Sequence, residues 1–387
     1  MMRCFKRKPC EKGIVIILVA ILMVVIVGMA ALAVDVGQLF IARQRAQNVC
    51  DAAALAGIWD LVRTDLLSLN DREAAATQTA IKTALGNNEL TNWRILIPDS
   101  EPPEEGISVE FPTAVQYDNG TSLNVNEGEA IRTTGEVLVN FGFARIFGFD
   151  KKRVGASATA IAEQLKELCS PLKVPIGVSN LEIFNEDGSV KVEFGTQRIL
   201  RCTTWDGGFL GPGNYLSLRL DESDSGAKDY RLRIAGDKPT ACLSTEEPDN
   251  TCTTEPGKMG SVTYTGIMDR LAKEEIYTND DTAWEEWTAD FNPETGMYPN
   301  TWRIVILPVL LDVPGVDDIS GSKEVTIVGF IGFFIEKATN IGQDKGLIIG
   351  RFIQGAVIGD KFIPLWTGGS SLPGSNNWTM IRLRLIS

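Results

Sequence analysis

The hydrophobic pattern begins with one long apolar run near the N-terminus. From Gly13 to Val34 the chain carries no charged residue, and as a helix these residues span roughly 33 Å, a match to the hydrocarbon core of a bilayer. The preceding residues 1–12 carry five Lys or Arg against one Glu. Because short basic flanks stay in the cytoplasm, the pattern predicts a transmembrane helix at 13–34, a cytoplasmic tail at 1–12 and the rest of the chain outside.

Two alternatives concern processing of this segment. Ala31-Leu32-Ala33 has the small-x-small pattern of a signal peptidase site, which would make the run a cleaved signal peptide. However, the run is longer than a usual signal core, and helical sequence continues past the site. A prepilin leader would need Glu five residues after its glycine, whereas Leu18 follows Gly13 at that distance. We therefore expect a retained anchor.

Beyond the apolar run, the pattern predicts that the same helix continues from Asp35 to about Leu67. Asp35 is expected to mark the exit from lipid, because a carboxylate at the bilayer centre is costly. Mostly small residues recur along this helix at spacings of three and four: Leu39, Ala42, Ala46, Val49, Ala53 and Ala56. This alanine seam permits close packing, either on a partner helix or on the chain's own outer part.

Residues 35–165 read as one membrane-proximal α+β module. A second helix is predicted from Asp71 to Leu85, with Asn70 and Glu73 at capping-box spacing and Gly86 as its stop. Strand composition or alternation follows in three segments: Ile107–Phe111, Ile131–Val139 and Val154–Ala162. We expect these strands to form a small sheet laid against the two helices.

Residues 169–387 show the short strands and turns of a β-rich outer domain. Asp187-Gly188 between two apolar segments, Leu181–Phe184 and Val190–Phe194, predicts a hairpin. One helical stretch is expected around Gly266–Glu275. Further strands are predicted at Tyr215–Leu220, Trp302–Leu311, Val325–Ile335, Gly346–Ile353 and Met380–Ile386. The predicted fold class is α+β, with a single N-terminal transmembrane helix continuing into an Ala-rich helix.

Composition narrows the chemistry available to the chain. Its 387 residues include no histidine, which removes histidine-based triads, metal sites and proton shuttles. The net charge is −13, and such a field repels phosphate backbones, so we expect no nucleic-acid partner. The chain has neither a phosphate-binding loop nor a nucleophile elbow. We expect no enzymatic activity and no cofactor.

Four cysteines fall in the outer domain and are disulfide candidates: Cys169, Cys202, Cys242 and Cys252. Sequence proximity favours joining Cys242 to Cys252 and Cys169 to Cys202, and free buried thiols are the alternative. Cys50 stands alone on the predicted helix, where a buried apolar role is more plausible than a crosslink between copies.

One acidic motif deserves comparison with known metal sites. Asp221, Ser223 and Ser225 fit the pattern Asp-x-Ser-x-Ser, which resembles the metal-adhesion signature of von Willebrand A domains. A long amphipathic helix and βα alternation, which that fold requires, are not evident around the motif. A solvated acidic turn is therefore favoured over a metal site.

The N-terminal motifs together resemble those of a known family. The segments Gly13–Ile17, Leu32–Phe40 and Arg43–Gly57, with their Ala-Val-Asp and Asp-Ala-Ala boxes, are similar to the N-terminal signature of the Flp pilus-assembly TadE/TadG-like family. The segments Arg132–Asn140, Phe143–Gly148 and Val154–Ala160 resemble the strand, short helix and Ala-rich strand that close the membrane-proximal module in such proteins.

This resemblance implies a non-enzymatic component of a Tad/Flp-type pilus-assembly or envelope-anchoring machinery. The chain would sit in the bacterial inner membrane and contact other pilus-assembly proteins, or itself, through the Ala-rich helix. One alternative is a metal-dependent adhesion protein of the von Willebrand A type, a domain that occurs in some TadG proteins. An envelope hydrolase, which would need paired carboxylates in a deep cleft, is the second alternative.

Overall fold

The structure, a computed structural model, describes residues 12–62, 68–89, 94–116, 122–185, 190–202, 214–221, 226–239, 242–256, 259–292, 297–311, 322–341, 344–358, 361–364 and 380–386. The chain divides into two compact units. The first comprises Met1–Ala54, Gln78–Glu110 and Arg132–Thr159, and the second comprises Leu55–Thr77, Phe111–Ile131 and Ala160–Ser387.

Long helices occupy the N-terminal part, and strands dominate the remainder. The helices are α1 (Lys12–Val62), α2 (Leu69–Glu89), α3 (Asn180–Ile183), α4 (Gly226–Ala235), α5 (Gly260–Leu271) and α6 (Ala283–Ala289). The strands up to the outer part are β1 (Ile95–Leu96), β2 (Ser108–Glu110), β3 (Ala114–Gln116), β4 (Ser122–Asn124), β5 (Ala130–Asn140), β6 (Lys151–Gln164) and β7 (Glu167–Leu168). They are followed by β8 (Ile176–Ser179), β9 (Gln197–Cys202), β10 (Asn214–Arg219), β11 (Leu243–Ser244), β12 (Thr251–Thr254), β13 (Ile304–Leu310), β14 (Glu324–Ile341), β15 (Asp344–Ile353), β16 (Gly355–Ile358), β17 (Lys361–Pro364) and β18 (Met380–Ile386).

Helix α1 is one continuous helix of 51 residues, as the absence of proline predicts. Among the described residues it is the helix long and apolar enough to cross a membrane, and none of its most apolar 18-residue window is buried. A core helix of a soluble protein would be covered along one face. The exposed apolar surface of α1 is therefore typical of a helix that contacts lipid.

In the first unit, strands β1, β2, β5 and β6 of a seven-stranded sheet pack beside α1. Strand β5 pairs with β1, where Ile95 lies opposite Val137, and with β2, where Val109 lies opposite Thr133. Strand β6 lies on the other side of β5. Side chains along β5 alternate between buried and half-buried, which is the pattern of a strand with one face on a core. The predicted strands of this module are confirmed.

In the second unit, the largest sheet has the order β12-β10-β8-β13-β14-β15-β9. Strand β9 also pairs with β10 in parallel, so the pairings close on themselves. The long strands β13, β14 and β15 run antiparallel to their neighbours in sequence. The α+β class with a β-rich C-terminal part, predicted from alternation and composition, is confirmed.

Residues 304–310 form a continuous apolar run because both faces of strand β13 are buried. All seven of its residues are buried. Ile304 and Ile306 pack in one cluster with Trp287 of α6, whereas Val305 and Leu307 pack in another that includes residues of α4 and α5. Because helices cover both faces, neither face needs polar side chains.

Helix α2 differs from its predicted bounds at both ends. It continues through Gly86 to Glu89, because a single glycine disfavours a helix by only about 1 kcal/mol. At its start, the Ser68 hydroxyl accepts the backbone N–H of Asp71 at 3.1 Å. The capping pair is thus Ser68 with Asp71 rather than Asn70 with Glu73.

Two other predictions in the outer part need correction. The predicted strand Leu181–Phe184 is mostly helix α3, since the Ser179 hydroxyl caps it by accepting the N–H of Leu181. The Asp187-Gly188 turn lies outside the described residues. Helix α5 begins six residues earlier than predicted. Helices α4 and α6 were not predicted from the sequence.

Candidate functional site

The carboxylate of Asp35 is the most unusual polar group in the first unit. It projects from α1 just beyond the apolar run, yet it is only 2% exposed. Its two oxygens accept backbone N–H groups of Gly142 at 2.9 Å, Phe143 at 3.1 Å and Ala144 at 2.6 Å. A carboxylate held by several backbone donors is strongly stabilised in its charged form. Asp35 therefore attaches the β5–β6 connection to the anchor helix.

The attached segment, residues 141–150, is a compact loop built around a short 3₁₀ helix, Ala144–Phe147. Gly148 ends that helix with a φ of +84°, a conformation that favours glycine. The loop closes where the N–H of Phe141 donates to the carbonyl of Asp150 at 3.0 Å. It is thus held at its base and at its junction with Asp35.

The outer face of this loop is apolar and exposed. Phe143, Ile146, Phe147 and Phe149 are 45%, 81%, 76% and 64% exposed. Sequence reasoning treated 143–148 only as part of a family likeness. The signal that could have singled it out is four phenylalanines between Phe141 and Phe149, next to Lys151 and Lys152.

The alanine seam of α1 faces the chain's own sheet. Ala42, Ala46 and Ala53 are fully buried, whereas Leu39, Val49 and Ala56 are half-buried. Ala42, Ala46 and Ala53 are therefore covered by other parts of this chain, which favours packing within the chain over a partner helix at these three positions. Contact of the rest of the seam with a partner helix stays a prediction.

Cys50 shows how closely helix and sheet approach. Its side chain is fully buried, and its thiol donates to the carbonyl of Ala156 in β6 at 3.4 Å. The backbone carbonyl of Cys50 accepts the hydroxyl of Thr133 in β5 at 2.9 Å, and Gln47 donates to the carbonyl of Ser157. The small side chains allow these direct contacts with the sheet backbone.

The Asp-x-Ser-x-Ser motif can be followed only in part. Ser223 and Ser225 lie outside the described residues, while Asp221 lies two residues after the end of β10 and 3.8 Å from the buried guanidinium of Arg233. Helix α4, which starts at Gly226, has ten residues, so the segment predicted as a short polar stretch is helical but is not the long amphipathic helix of a von Willebrand A fold. The sheet around β10 is mixed and largely antiparallel, unlike a doubly wound parallel sheet.

The cysteine pairing differs from the favoured one. Cys169 is joined to Cys242, and neither Cys202 nor Cys252 takes part in a disulfide. The pairing follows from strands: β7 and β11, which end and begin next to these cysteines, lie antiparallel with Leu168 opposite Leu243. Glu167 lies near both sulfurs, but sulfurs joined in a disulfide are not thiolate metal ligands.

A cavity of about 460 Å³ in the second unit is lined by residues that include Glu274, Glu275, Thr301 and Trp302. It bears on the hydrolase alternative because two adjacent carboxylates line it. Glu274, however, accepts hydrogen bonds from the Thr301 hydroxyl and from the N–H groups of Ile276, Tyr277 and Trp302. These bonds outweigh the effect of burial and hold the pKa of Glu274 below its usual value. The carboxylate is a structural acceptor.

Buried arginines are a feature that sequence reasoning missed. Arg270 on α5 is fully buried and donates to the carbonyls of Ile234, Trp302 and Ile304. Burial lowers the pKa of Arg270 to about 10. Arg303 similarly donates to the carbonyls of Tyr277 and Glu336. Both guanidiniums satisfy backbone carbonyls in the interior of the second unit.

A comparison with known protein families finds a match for the segment that contains Asp35 and the alanine seam. Residues 13–76 match the family model described as Flp pilus-assembly TadE/G-like. This segment is therefore similar to TadE/G-like proteins. Neither a curated protein nor a solved structure was found that matches the chain.

The TadE/G-like match spans α1 from Gly13 onward and the first part of α2. It confirms the recognition made from the N-terminal motifs and supports a pilus-assembly component. The loop bound by Asp35 and most of the second unit lie beyond the matched residues, so their roles rest on the geometry alone.

Proposed function

We propose that the protein is a single-pass, non-enzymatic component of a Tad/Flp-type pilus-assembly or envelope-anchoring machinery. The observation that carries this proposal is the TadE/G-like match over a helix whose apolar window is wholly exposed. The anchor would lie in the inner membrane of a bacterium. Residues 1–12 would stay in the cytoplasm, and the C-terminal bulk would lie outside and contact other pilus-assembly proteins.

Two features support the outside location of the second unit. The basic tail before the apolar run favours a cytoplasmic N-terminus. The disulfide between Cys169 and Cys242 is of a kind that forms and persists in oxidising compartments such as the periplasm. Both features point to the same orientation of the anchor.

Because the alanine seam is buried at three positions, partner proteins would bind other surfaces of the chain. Since Ala42, Ala46 and Ala53 pack inside the chain, partner contacts in this proposal are made by lipid-exposed faces of α1 and by the surface of the second unit. The role of the protein is then mechanical: the anchor fixes the β-rich part at the membrane surface, where other components assemble.

Gene replacement in a host that makes Flp-type pili tests this proposal. Deleting the gene is expected to abolish surface pili, and the full-length chain is expected to restore them. The matched control carries a cleavable signal peptide in place of residues 1–34, which exports the same outer part without an anchor. Normal pili after deletion, or full restoration by the unanchored control, would argue against an anchored assembly component.

The metal-dependent adhesion alternative has a separate test. Calcium or magnesium would be titrated into the full-length protein and into Asp221→Ala while thermal unfolding is followed. The assembly proposal expects the same midpoint with and without the ion in both proteins. A rise in the midpoint that is lost in Asp221→Ala would favour the adhesion alternative.

A further inference from the structure

We propose that the exposed apolar loop, residues 142–149, is a second membrane contact that enters the bilayer interface beside the end of the α1 span. This inference rests on the proposed membrane anchoring of α1. It goes beyond that proposal because it assigns a lipid-binding role to a segment more than a hundred residues away in sequence, outside the family match.

The lipid-exposed band of α1 extends further than the uncharged run. Every exposed side chain from Ile16 to Ile41 is apolar, and Phe40 is 71% exposed. At 1.5 Å per residue this band is about 39 Å long, which matches a hydrocarbon core together with its interfacial zones. The first exposed polar side chains after the band are Arg43 and Gln44. Asp35 therefore lies within the band, about 9 Å below Ile41.

The hydrogen bonds to Asp35 fix the loop at this level. Gly142, Phe143 and Ala144 donate to its carboxylate, so the start of the loop lies against α1 within the apolar band. The bonds also satisfy a carboxylate that would be costly to place near lipid without partners. The three hydrogen bonds thus satisfy the Asp35 carboxylate on α1 and hold the start of the loop against that helix.

Six backbone N–H groups of the loop are satisfied within the chain, as contact with lipid requires of backbone polar groups. In addition to the three donors to Asp35, the N–H of Ile146 donates to Phe143, that of Gly148 to Arg145 and that of Phe149 to Ala144. The apolar side chains can therefore leave water without exposing these donors to hydrocarbon.

The side chains of the loop fit an interfacial position. Phe143, Ile146, Phe147 and Phe149 form an exposed apolar patch of the kind that marks an interaction surface. The exposed Arg145, Lys151 and Lys152 flank the patch. Long basic side chains beside an apolar wedge can reach lipid phosphates while the apolar groups enter the acyl region. Continuity with the apolar band of α1 favours lipid over a protein partner.

Site-specific photo-crosslinking in membranes tests the contact with the full-length chain. p-Benzoylphenylalanine is placed singly at Phe147, at Ile146, at Val25 within the span, and at Ile276. Ile276 is the matched control, because it is 64% exposed on the second unit and outside the loop. After irradiation, adducts are identified by mass spectrometry as lipid or protein.

The expected result is lipid adducts at Phe147, Ile146 and Val25, and none at Ile276. Lipid adducts at Val25 without any at the two loop positions would overturn the loop contact while leaving the anchor intact. Protein adducts alone at Phe147 and Ile146 would overturn it in favour of a docking partner. Lipid adducts at Ile276 as well would contradict a contact specific to the loop. No lipid adduct at Val25 would overturn the anchoring and this inference together.

Discussion

Asp35 illustrates what a single residue can and cannot indicate from sequence. A carboxylate at the end of an apolar run is expected at the edge of the membrane, and it does lie near the end of the apolar band. Its three donors, Gly142, Phe143 and Ala144, come more than a hundred residues later. No local pattern connects them to Asp35, so the attachment of the loop could be seen only in the fold.

Asp35→Asn is expected to release the loop from α1. The amide keeps one acceptor oxygen but directs an NH₂ group toward backbone donors, which weakens the attachment. Limited proteolysis of the detergent-solubilised protein should then cleave within 142–149 faster than in the wild type. Asp150→Asn, at the exposed position that follows residues 142–149, is the control and should leave the cleavage rate unchanged. Equal protection in all three proteins would refute the attachment.

Lys173 is expected to make the outer part more stable as the pH rises. Burial, with the nearby charge of Arg233, lowers the pKa of Lys173 to about 8 from its ordinary value near 10.5. Between these pH values the unfolded chain binds a proton that the folded chain has released, so the free energy of unfolding increases with pH. At 1.36 kcal/mol per pKa unit, the gain is at most about 3 kcal/mol.

Thermal unfolding of the wild type and Lys173→Met from pH 7 to 10 measures this effect. Other groups that titrate at alkaline pH are the same in both proteins. The difference in stability between the wild type and Lys173→Met therefore reports the titration of Lys173. The wild type should gain stability relative to the variant across this range, whereas Lys191→Met, at an exposed lysine, should track the wild type. Parallel curves for wild type and Lys173→Met would show that Lys173 titrates normally.

Secondary-structure elements were predictable where hydrophobic periodicity is strong. The continuous helix α1 and the strands β5, β6 and β13 were expected close to their observed bounds, whereas β14 continues to Ile341, six residues past its predicted end. Helix α4 was missed because residues 226–235 are largely polar, and it forms because Tyr230 and Ile234 pack into the core of the second unit. The partner of the alanine seam could not be predicted, since small residues suit any close neighbour.

Ala46→Leu should destabilise the folded monomer. Ala46 is fully buried against the sheet of the first unit, and overpacking of this kind costs roughly 1–3 kcal/mol. The thermal midpoint should fall while the oligomeric state, measured by light scattering in detergent, stays the same. Ala74→Leu on an exposed position of α2 is the control. An unchanged midpoint with loss of an oligomer would instead restore the partner-helix interpretation.

Removing the disulfide should weaken the second unit. Cys169 and Cys242 are 73 residues apart, and constraining such a loop contributes about 4 kcal/mol by loop-closure entropy. The double variant Cys169→Ser with Cys242→Ser should therefore unfold at a lower temperature, whereas Cys202→Ser should keep the crosslink. Peptide mapping that found Cys242 linked to Cys252 would contradict the observed pairing.

The chain as a whole combines an apolar anchor with an acidic outer part. Its hydrophobic pattern predicted the membrane helix, and its N-terminal motifs carried the family resemblance, which the match over residues 13–76 confirms. The ring of pairings in the outer sheet was not predictable, because β9 pairs with β15, where Leu200 lies opposite Ile348, far later in the sequence. The domain bounds predicted at 35–165 and 169–387 stay predictions.

Protease accessibility of the full-length chain in spheroplasts tests the central claim most directly. With tags at both ends, added protease should destroy the C-terminal tag and spare the N-terminal tag, and the N-terminal fragment should remain in the membrane after alkaline extraction. A C-terminal tag that survives until the cells are lysed, a soluble full-length chain, or a mature N-terminus at Val34 would contradict an anchored protein with its bulk outside.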